Sequence, residues 1–219
     1  MTLAIFDLDN TLLSGDSDHG WGEFLIRKKL VDARTYKLAN EKFYKQYKLG
    51  TLDIYEYAEF SFKPLAEHSM EKLAMLHAEF MEMIIFPMIG DKAKALVKHH
   101  RQQGHILLVI TATNSFITRP IVDAFGIQNL LATEPKIVNG RYVNSIEGTP
   151  CFKEGKVERL QEWLEEKNLN LDGSYFYSDS HNDCALMEQV ENAIAVDPDE
   201  QLKKIAKQKG WRTISLLGT

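Results

Sequence analysis

Residues 3–13, LAIFDLDNTLL, decide the fold, because an apolar run there ends in two aspartates. The apolar run predicts a strand over residues 3–8 that is buried in a parallel sheet. Asp7 and Asp9 are two residues apart, so they begin on the same side of an extended chain. Ligands bind at the carboxyl ends of the strands in a doubly wound sheet. Two close carboxylates repel each other and call for a cation or a shared proton, so the stretch predicts a chemical site.

After residue 87 the chain alternates between helical and strand patterns. Strands are predicted at 105–111, 175–177, 193–196 and 211–216, and helices at 90–103, 115–125, 156–167, 183–190 and 199–209. Asn139-Gly140, within residues 130–147, is a strong signal for a two-residue hairpin. This alternation predicts an α/β protein with a doubly wound parallel sheet and right-handed crossovers.

Residues 16–85 break this alternation and are helical throughout. Amphipathic stretches lie around 18–30, 32–48, 53–62 and 69–84, and Pro64 is expected to separate two of these helices. Most of the many aromatic residues are expected to pack between helices. We therefore predict an α-helical cap domain over 16–85, inserted after the first strand and lying over the strand ends. The α/β core then comprises residues 1–15 and 86–219.

The composition is that of a soluble globular protein. The chain has 219 residues, a formal net charge of −5 and a pI near 5.8, which argue against nucleic acid or an anionic membrane as the main partner. No apolar stretch approaches the ~18 residues of a membrane span, and no signal peptide is recognised. We therefore expect a cytoplasmic protein, either a monomer or a homodimer.

Four short segments together suit phosphoryl transfer, which needs a nucleophile, an acid, a metal and positive charge around the phosphate oxygens. In the first segment, one of Asp7 and Asp9 can attack phosphorus while the other protonates the leaving oxygen. In the second, Thr111 offers a hydroxyl and nearby backbone N–H groups at the end of a strand. In the third, Lys156 opens a helix after Gly155 and can place a point charge beside the phosphate.

The fourth segment, residues 177–183, carries carboxylates suited to a hard cation. Asp179 and Asp183 lie four residues apart at a predicted strand end. Oxygen ligands with retained waters suit Mg²⁺. The histidines and the two cysteines lack the spacing of a zinc site. Lys153 and Lys167 compete with Lys156 for the phosphate, but neither stands at a helix start.

In order and position, the four segments resemble the motifs of the haloacid dehalogenase superfamily of phosphotransferases, over essentially the whole chain. The matching segments are FDLDNTL (6–12), VITAT (109–113), GKVERL (155–160) and SDSHNDCALM (178–187). The helical insert resembles the cap of the phosphoserine-phosphatase-like subfamily. The resemblance implies a Mg²⁺-dependent hydrolase of phosphomonoesters that works through an aspartyl-phosphate intermediate.

The resemblance also implies a role for each matching residue. Asp7 would be the nucleophile and a Mg²⁺ ligand, and Asp9 the general acid and base, with its backbone carbonyl on the metal. Asp179 would be a further ligand, and Asp183 either a ligand or a residue that orients one. The phosphate would be held by Thr111, Ala112, Lys156 and Asn182.

Departures from the subfamily pattern bear on the substrate. Asp16 stands where phosphoserine phosphatases carry a glutamate that binds the substrate ammonium, so an amine-bearing substrate is expected. Thr111-Ala112-Thr113 replaces their Ser-Gly-Gly and adds bulk. The same TAT-type and GK-type motifs resemble a sister branch that includes histidinol-phosphate phosphatases, in which an imidazole could stack on cap aromatics such as Trp21 or Phe24. We expect histidinol phosphate first, phosphoserine second and another small phosphomonoester third.

Three other classes of protein share parts of this pattern. A phospho-acceptor switch domain also uses aspartates and Mg²⁺ on a doubly wound sheet, but it is shorter and needs no second aspartate to hydrolyse an ester. A phosphomutase shares the covalent intermediate. A catalytically dead binding protein would have lost some of the expected residues, and here each expected position is filled.

Overall fold

Seven strands form one sheet in the computed structural model, which describes residues 2–217. Their order across the sheet is β4-β3-β2-β1-β5-β6-β7, and every neighbouring pair is parallel except β3 and β4. The predicted doubly wound α/β fold is confirmed. The strands are β1 (Leu3–Phe6), β2 (Ile106–Asn114), β3 (Asn129–Val138), β4 (Arg141–Glu147), β5 (Tyr175–Ser178), β6 (Asn192–Val196) and β7 (Arg212–Ile214).

Helices cover both faces of the sheet. They are α1 (Ser17–Arg27), α2 (Ala33–Lys48), α3 (Ile54–Glu67), α4 (Met70–Phe80), α5 (Phe86–Met88), α6 (Asp91–Gln102), α7 (Ser115–Ala124), α8 (Glu154–Lys167), α9 (Cys184–Met187) and α10 (Glu200–Lys209). A π-helical turn over Met81–Ile85 joins α4 to α5. The face that carries α6 and α7 shares its apolar core with α1, α3 and α4, whereas α8, α9 and α10 pack on the opposite face.

The central position of β1 follows from its apolar sequence. All four of its residues are buried, and Ile5 pairs with Leu108 of β2 and with Phe176 of β5. Alternate side chains enter opposite cores, with Phe6 on the α6 and α7 side and Ile5 on the other. Since both faces of a parallel sheet are covered, a continuous apolar run is required here.

The helical segment between β1 and β2 begins with capped helices. Asp16, Asp32 and Asp53 each accept a backbone N–H bond at the start of α1, α2 and α3. The prediction that Pro64 separates two helices is wrong, because Pro64 lies inside α3. It stands in the last turn of the helix, where it is buried beside Leu65.

Boundaries near the strand ends differ from the predicted ones. Strand β2 extends to Asn114, three residues beyond the predicted end at Thr111, so Thr111 lies inside the strand. The helix predicted over 183–190 is a 3₁₀ turn, His181–Asp183, followed by the four-residue α9. The hairpin at Asn139-Gly140 is confirmed, with φ of 51° and 73° at its two turn residues, as a type I′ turn requires.

A chain of hydrogen-bonded rings lies under the sheet between α6 and β5. Buried His100 forms two hydrogen bonds of 2.8 Å, one from its Nδ1 to Nδ1 of His105 and one from its Nε2 to the Tyr177 hydroxyl. The Tyr177 ring stacks on Phe6, the last residue of β1. Burial, together with the neighbouring His105, lowers the pKa of His100 to about 4.

This shift predicts a specific dependence of stability on pH. Because the pKa of His100 is lower in the folded protein than the ordinary value of about 6.5, the unfolded chain takes up the proton first as the pH falls. His100 should therefore remove up to about 3 kcal/mol from the free energy of unfolding between pH 6.5 and pH 4. Urea unfolding of the wild type and of His100→Gln over this range gives the free energy of unfolding at each pH. The difference between the two slopes against pH measures the contribution of His100. Parallel pH profiles for the two proteins would contradict the assignment.

Candidate active site

The carboxyl ends of β1, β2 and β5 meet at one edge of the sheet, beneath α1, α2 and α3. A cavity of about 90 Å³ lies there, open to solvent on one side. Its walls are formed by Asp7, Asp9, Asn10, Asp16, Asp18, His19, Asn40, Phe43, Tyr44, Tyr47, Leu52, Ile54, Tyr57, Thr111, Ala112, Thr113, Phe152, Lys156 and Asp183.

A buried ammonium group between two carboxylates forms the floor of this cavity. Lys156 Nζ lies 2.8 Å from Asp7 Oδ1 and 2.8 Å from the carboxylate of Asp183. Although burial alone would lower it, the two carboxylates raise the pKa of Lys156 well above its usual range, so the lysine is charged. Burial raises the pKa of Asp7 to about 6, while Lys156 opposes this shift. Asp7 is therefore mostly ionised at neutral pH.

The loop before α8 brings Lys156 to this position. The carbonyl oxygen of Pro150 would lie 2.1 Å from a Cβ at Gly155, so only glycine allows this approach. The two competing lysines lie elsewhere. Lys153, at φ 50° and ψ −122°, donates to the Gly50 carbonyl, while exposed Lys167 pairs with Glu166.

Asp9 is held by two donors at the mouth of the cavity. Its Oδ1 accepts the Ser17 backbone N–H at 2.6 Å, and its Oδ2 lies 2.8 Å from the Thr113 hydroxyl. Burial, with the nearby Asp16, raises the pKa of Asp9 to about 8. Asp9 therefore holds a proton at neutral pH, while Asp7 is ionised. The two carboxyl groups differ in the way that an acid and a nucleophile must.

Thr11 links β1 to Asp179 after β5. Its hydroxyl lies 3.4 Å from Asp7 Oδ2 and 3.3 Å from Asp179 Oδ1, and it accepts the Asp179 backbone N–H at 3.1 Å. Burial and repulsion from Asp7 and Asp183 raise the pKa of Asp179 well above its usual range. No group of three or more potential metal-ligating side chains is assembled within residues 2–217. Asp183 is instead bonded to Lys156 and to the Ser178 hydroxyl.

The structure brings most, but not all, of the predicted residues to the cavity. Thr111, whose hydroxyl accepts the Thr113 backbone N–H, and Ala112 line it beside the carboxylates. Asp16 lines the cavity as the N-cap of α1. Asn182 is not part of the lining, and its side-chain amide donates to the backbone carbonyl of Tyr47 at 3.2 Å.

The aromatic wall of the cavity differs from the predicted one. Trp21 and Phe24 are fully buried against each other and Phe80, so the expectation that they stack on a substrate is wrong. The cavity is lined instead by the rings of four residues of α2 and α3 that the sequence did not single out: Phe43, Tyr44, Tyr47 and Tyr57.

Asp18 is a further functional candidate that the sequence gave little reason to choose. It lines the cavity, and its Oδ2 accepts a hydrogen bond of 2.5 Å from the Tyr57 hydroxyl. The two residues are 39 positions apart and lie on different helices. Only the folded arrangement of the helices brings them together.

Comparison with known proteins agrees with this geometry. The haloacid dehalogenase-like hydrolase family matches residues 4–188, which contain all four motifs. The chain belongs to the haloacid dehalogenase-like hydrolases. It is also 46% identical to a histidinol-phosphatase of Neisseria meningitidis over 97% of this chain and 98% of that protein. The phosphoserine phosphatase SerB1 of Mycobacterium tuberculosis is 28% identical over 95% of this chain and 68% of its own length.

Two solved structures show the same fold. A protein of unknown function from Bordetella pertussis superposes with a TM-score of 0.93, at 44% identity, over 99% of this chain and 100% of that one. A substrate-bound phosphoserine phosphatase superposes with a TM-score of 0.70, at 19% identity, over 97% and 92% of the two chains. The family and the relatives together show that this hydrolase is a phosphatase. None of its helices within residues 2–217 is both long and apolar enough to cross a membrane.

The close approach at Gly155 predicts a position-specific loss of function. Gly155→Ala should force the loop away from Pro150, displace Lys156 and lower both stability and phosphatase activity. We expect a loss of about 2 kcal/mol or more in the free energy of unfolding, because backbone must move. Gly90→Ala, whose Cβ would meet its nearest atom at 4.0 Å, is the matched control. Thermal melts and phosphate release test both variants. Wild-type stability and activity in Gly155→Ala would disprove the argument.

Proposed function

We propose that this phosphatase hydrolyses histidinol phosphate in a Mg²⁺-dependent reaction through a phosphorylated Asp7. The distribution of charge in the cavity carries the proposal. Lys156 is the one lysine or arginine in the described lining, and it is already bonded to Asp7 and Asp183. Asp16 and Asp18 also line the cavity, and within residues 2–217 neither is bonded to Lys156. The cavity therefore suits a substrate that carries both a phosphate and a positive charge.

The first chemical step falls to Asp7. Its ionised carboxylate attacks phosphorus and forms an acyl-phosphate bond as the ester oxygen departs. Lys156 and the Thr111 hydroxyl lie beside Asp7 and stabilise negative charge on the phosphate oxygens. Lys156 also lowers the repulsion between the approaching phosphate and the carboxylates.

Asp9 supplies and later accepts a proton. Its raised pKa keeps it protonated, so it can donate to the ester oxygen as the P–O bond breaks. The resulting carboxylate then takes a proton from the water that attacks the phosphorylated Asp7, which releases inorganic phosphate. Thr113 and the Ser17 N–H hold both of its oxygens in place during these steps.

The donor set around Thr11 fits Mg²⁺. Asp7 and Asp179 both lie at the Thr11 hydroxyl, and the raised pKa of Asp179 reports repulsion that a divalent cation would relieve. Mg²⁺ usually takes one or two carboxylates, with waters and substrate phosphate as further ligands, so a set of three side chains is not required. Asp7, Asp179 and the Asp9 backbone carbonyl would hold it, and Asp183 would orient Lys156. The bound metal would neutralise charge on the transferred phosphoryl group.

Substrate choice rests on what the cavity contains and on the relatives. Phosphoserine carries a carboxylate, whereas Lys156, the one lysine or arginine in the described lining, is assigned to the phosphate. Histidinol phosphate carries an amine and an imidazole but no carboxylate. Asp16 would bind the amine. The 46% identity to a histidinol-phosphatase supports the same choice.

We further propose that residues 16–85 work as the cap over this site. The C-terminal end of α2 rests on the core at several points around the catalytic loops. Tyr47 Oη is 3.0 Å from Ser180 Oγ, and the Gly50 carbonyl accepts from Lys153 Nζ at 2.7 Å. Because α1, α3 and α4 share an apolar core with α6 and α7, these polar contacts at the end of α2 are the part of the cap that would break and re-form as the site opens for exchange and closes to exclude water.

Phosphate release from histidinol phosphate and phosphoserine, measured side by side with Mg²⁺, tests the proposed function. We expect a clear preference for histidinol phosphate, with kcat/KM of about 10⁴ M⁻¹s⁻¹ or above, and loss of activity with EDTA or in Asp7→Asn. A preference for phosphoserine would overturn the substrate. Full activity of Asp7→Asn would overturn the mechanism, and a single phosphorylation without turnover would indicate a phospho-acceptor switch domain.

The role of Asp9 predicts a dependence on the leaving group. An alkoxide is a poor leaving group and needs the proton of Asp9, whereas p-nitrophenolate leaves without one. Asp9→Asn should therefore lower kcat for histidinol phosphate by ~10² or more. With p-nitrophenyl phosphate, the rate at which Asp7 is phosphorylated should fall by a smaller factor. Burst kinetics separate that step from hydrolysis of the intermediate. Equal losses in the phosphorylation step for both esters would contradict the assignment of the acid.

A further inference from the structure

One part of the cavity lining combines a carboxylate with flat aromatic surfaces. Asp18, on the first turn of α1, is partly buried and receives the Tyr57 hydroxyl from α3 at 2.5 Å. Tyr57 in turn meets the Phe43 ring of α2 edge to face, with centroids 5.2 Å apart. Three helices thus join at a carboxylate that faces the same cavity as the catalytic aspartates.

The hydrogen bond from Tyr57 fixes the orientation of Asp18. It uses Oδ2, and within residues 2–217 no other donor is bonded to this carboxylate, so Oδ1 is available to a ligand N–H. Tyr57 is itself held in place, since its ring packs against Phe43 and Phe60. A carboxylate held in this way selects a donor by direction as well as by charge.

The surroundings of Asp18 favour a cationic ligand over a neutral one. Burial and the nearby Asp16 raise the pKa of Asp18 to about 7, which shows that a second negative charge here is costly. A bound cation removes this cost, and aromatic faces add attraction for a planar cation. An imidazole has a flat face, an N–H donor and a basic nitrogen, so it satisfies all three features. A primary amine lacks the flat face.

We propose that Asp18, oriented by Tyr57, determines the specificity of this phosphatase by binding the N–H of a nitrogen heterocycle in the substrate. This rests on the proposed function, in which Asp16 binds the amine and Lys156 lies at the phosphate end. Phe43 and Tyr57 line the space beside Asp18 and provide the ring surfaces. The substrate class is therefore a phosphomonoester that carries both an amine and a planar basic ring.

A pair of esters isolates the ring. Histidinol phosphate and 2-aminopropyl phosphate share the phosphate and the amine, but only the first has the imidazole. The ratio of kcat/KM for the first ester to that for the second measures ring recognition. We expect Asp18→Asn to lower this ratio about 10-fold or more, mainly through KM, because a charged hydrogen bond is lost. Tyr57→Phe should lower it in the same direction by a smaller factor.

Glu59→Gln is the matched charge control, because Glu59 is an exposed residue of α3 two positions from Tyr57. Tyr55→Phe, also exposed on α3, is the matched hydroxyl control. Both should keep the wild-type ratio. An unchanged ratio in folded Asp18→Asn or, if that variant does not fold, in Tyr57→Phe would overturn the proposal. So would an equal loss for both esters, which would assign Asp18 to the amine.

Failure of the proposed function would appear separately, in the wild-type enzyme. If it hydrolyses neither ester, calorimetry with histidinol and with 2-aminopropan-1-ol still measures ring recognition. Tighter binding of histidinol that is lost in Asp18→Asn supports the proposal. Equal binding of the two alcohols to the wild type overturns it.

Discussion

The ammonium of Lys156, buried between the carboxylates of Asp7 and Asp183, is the interaction on which the rest of the site depends. Three charges are removed from water there, and they are tolerated because each is held within 2.8 Å of an opposite charge. The fold supplies the three groups from separate places: the end of β1, the first turn of α8 and the 3₁₀ turn after β5. Glycine at position 155 is what lets the chain bring the lysine close enough.

The cavity also combines groups of opposite charge. Lys156 and the strand-end hydroxyls suit a phosphate, while Asp16 and Asp18 add negative charge to the lining. The aromatic rings of α2 and α3 line the same cavity. A small molecule with a phosphate and a basic group matches both sets of groups, whereas an added carboxylate would be repelled by Asp16 and Asp18. The helical insertion therefore bears on substrate choice, and the sheet edge on the chemistry.

Local sequence was sufficient for the parts of the site that follow strands. Asp7, Thr111 and Asp179 could be predicted, because each comes at or just after an apolar run and parallel strands end at the same edge. In the helical insertion it was harder to predict which side chains line the cavity, since its many aromatic residues pack among one another. Trp21 and Tyr57 look equivalent in the sequence, yet the first is buried in the core and the second lines the cavity. The bond between Asp18 and Tyr57 joins two helices and leaves no local pattern.

The most direct test is a crystal structure of Asp7→Asn with Mg²⁺ and histidinol phosphate. The account predicts phosphorus about 3–3.5 Å from the side chain of residue 7, with Lys156 at a phosphate oxygen and the imidazole beside Asp18. It also predicts the metal at Asp179 and the backbone carbonyl of Asp9. A phosphate bound away from residue 7, or an imidazole directed out of the cavity with the amine at Asp18, would contradict the account.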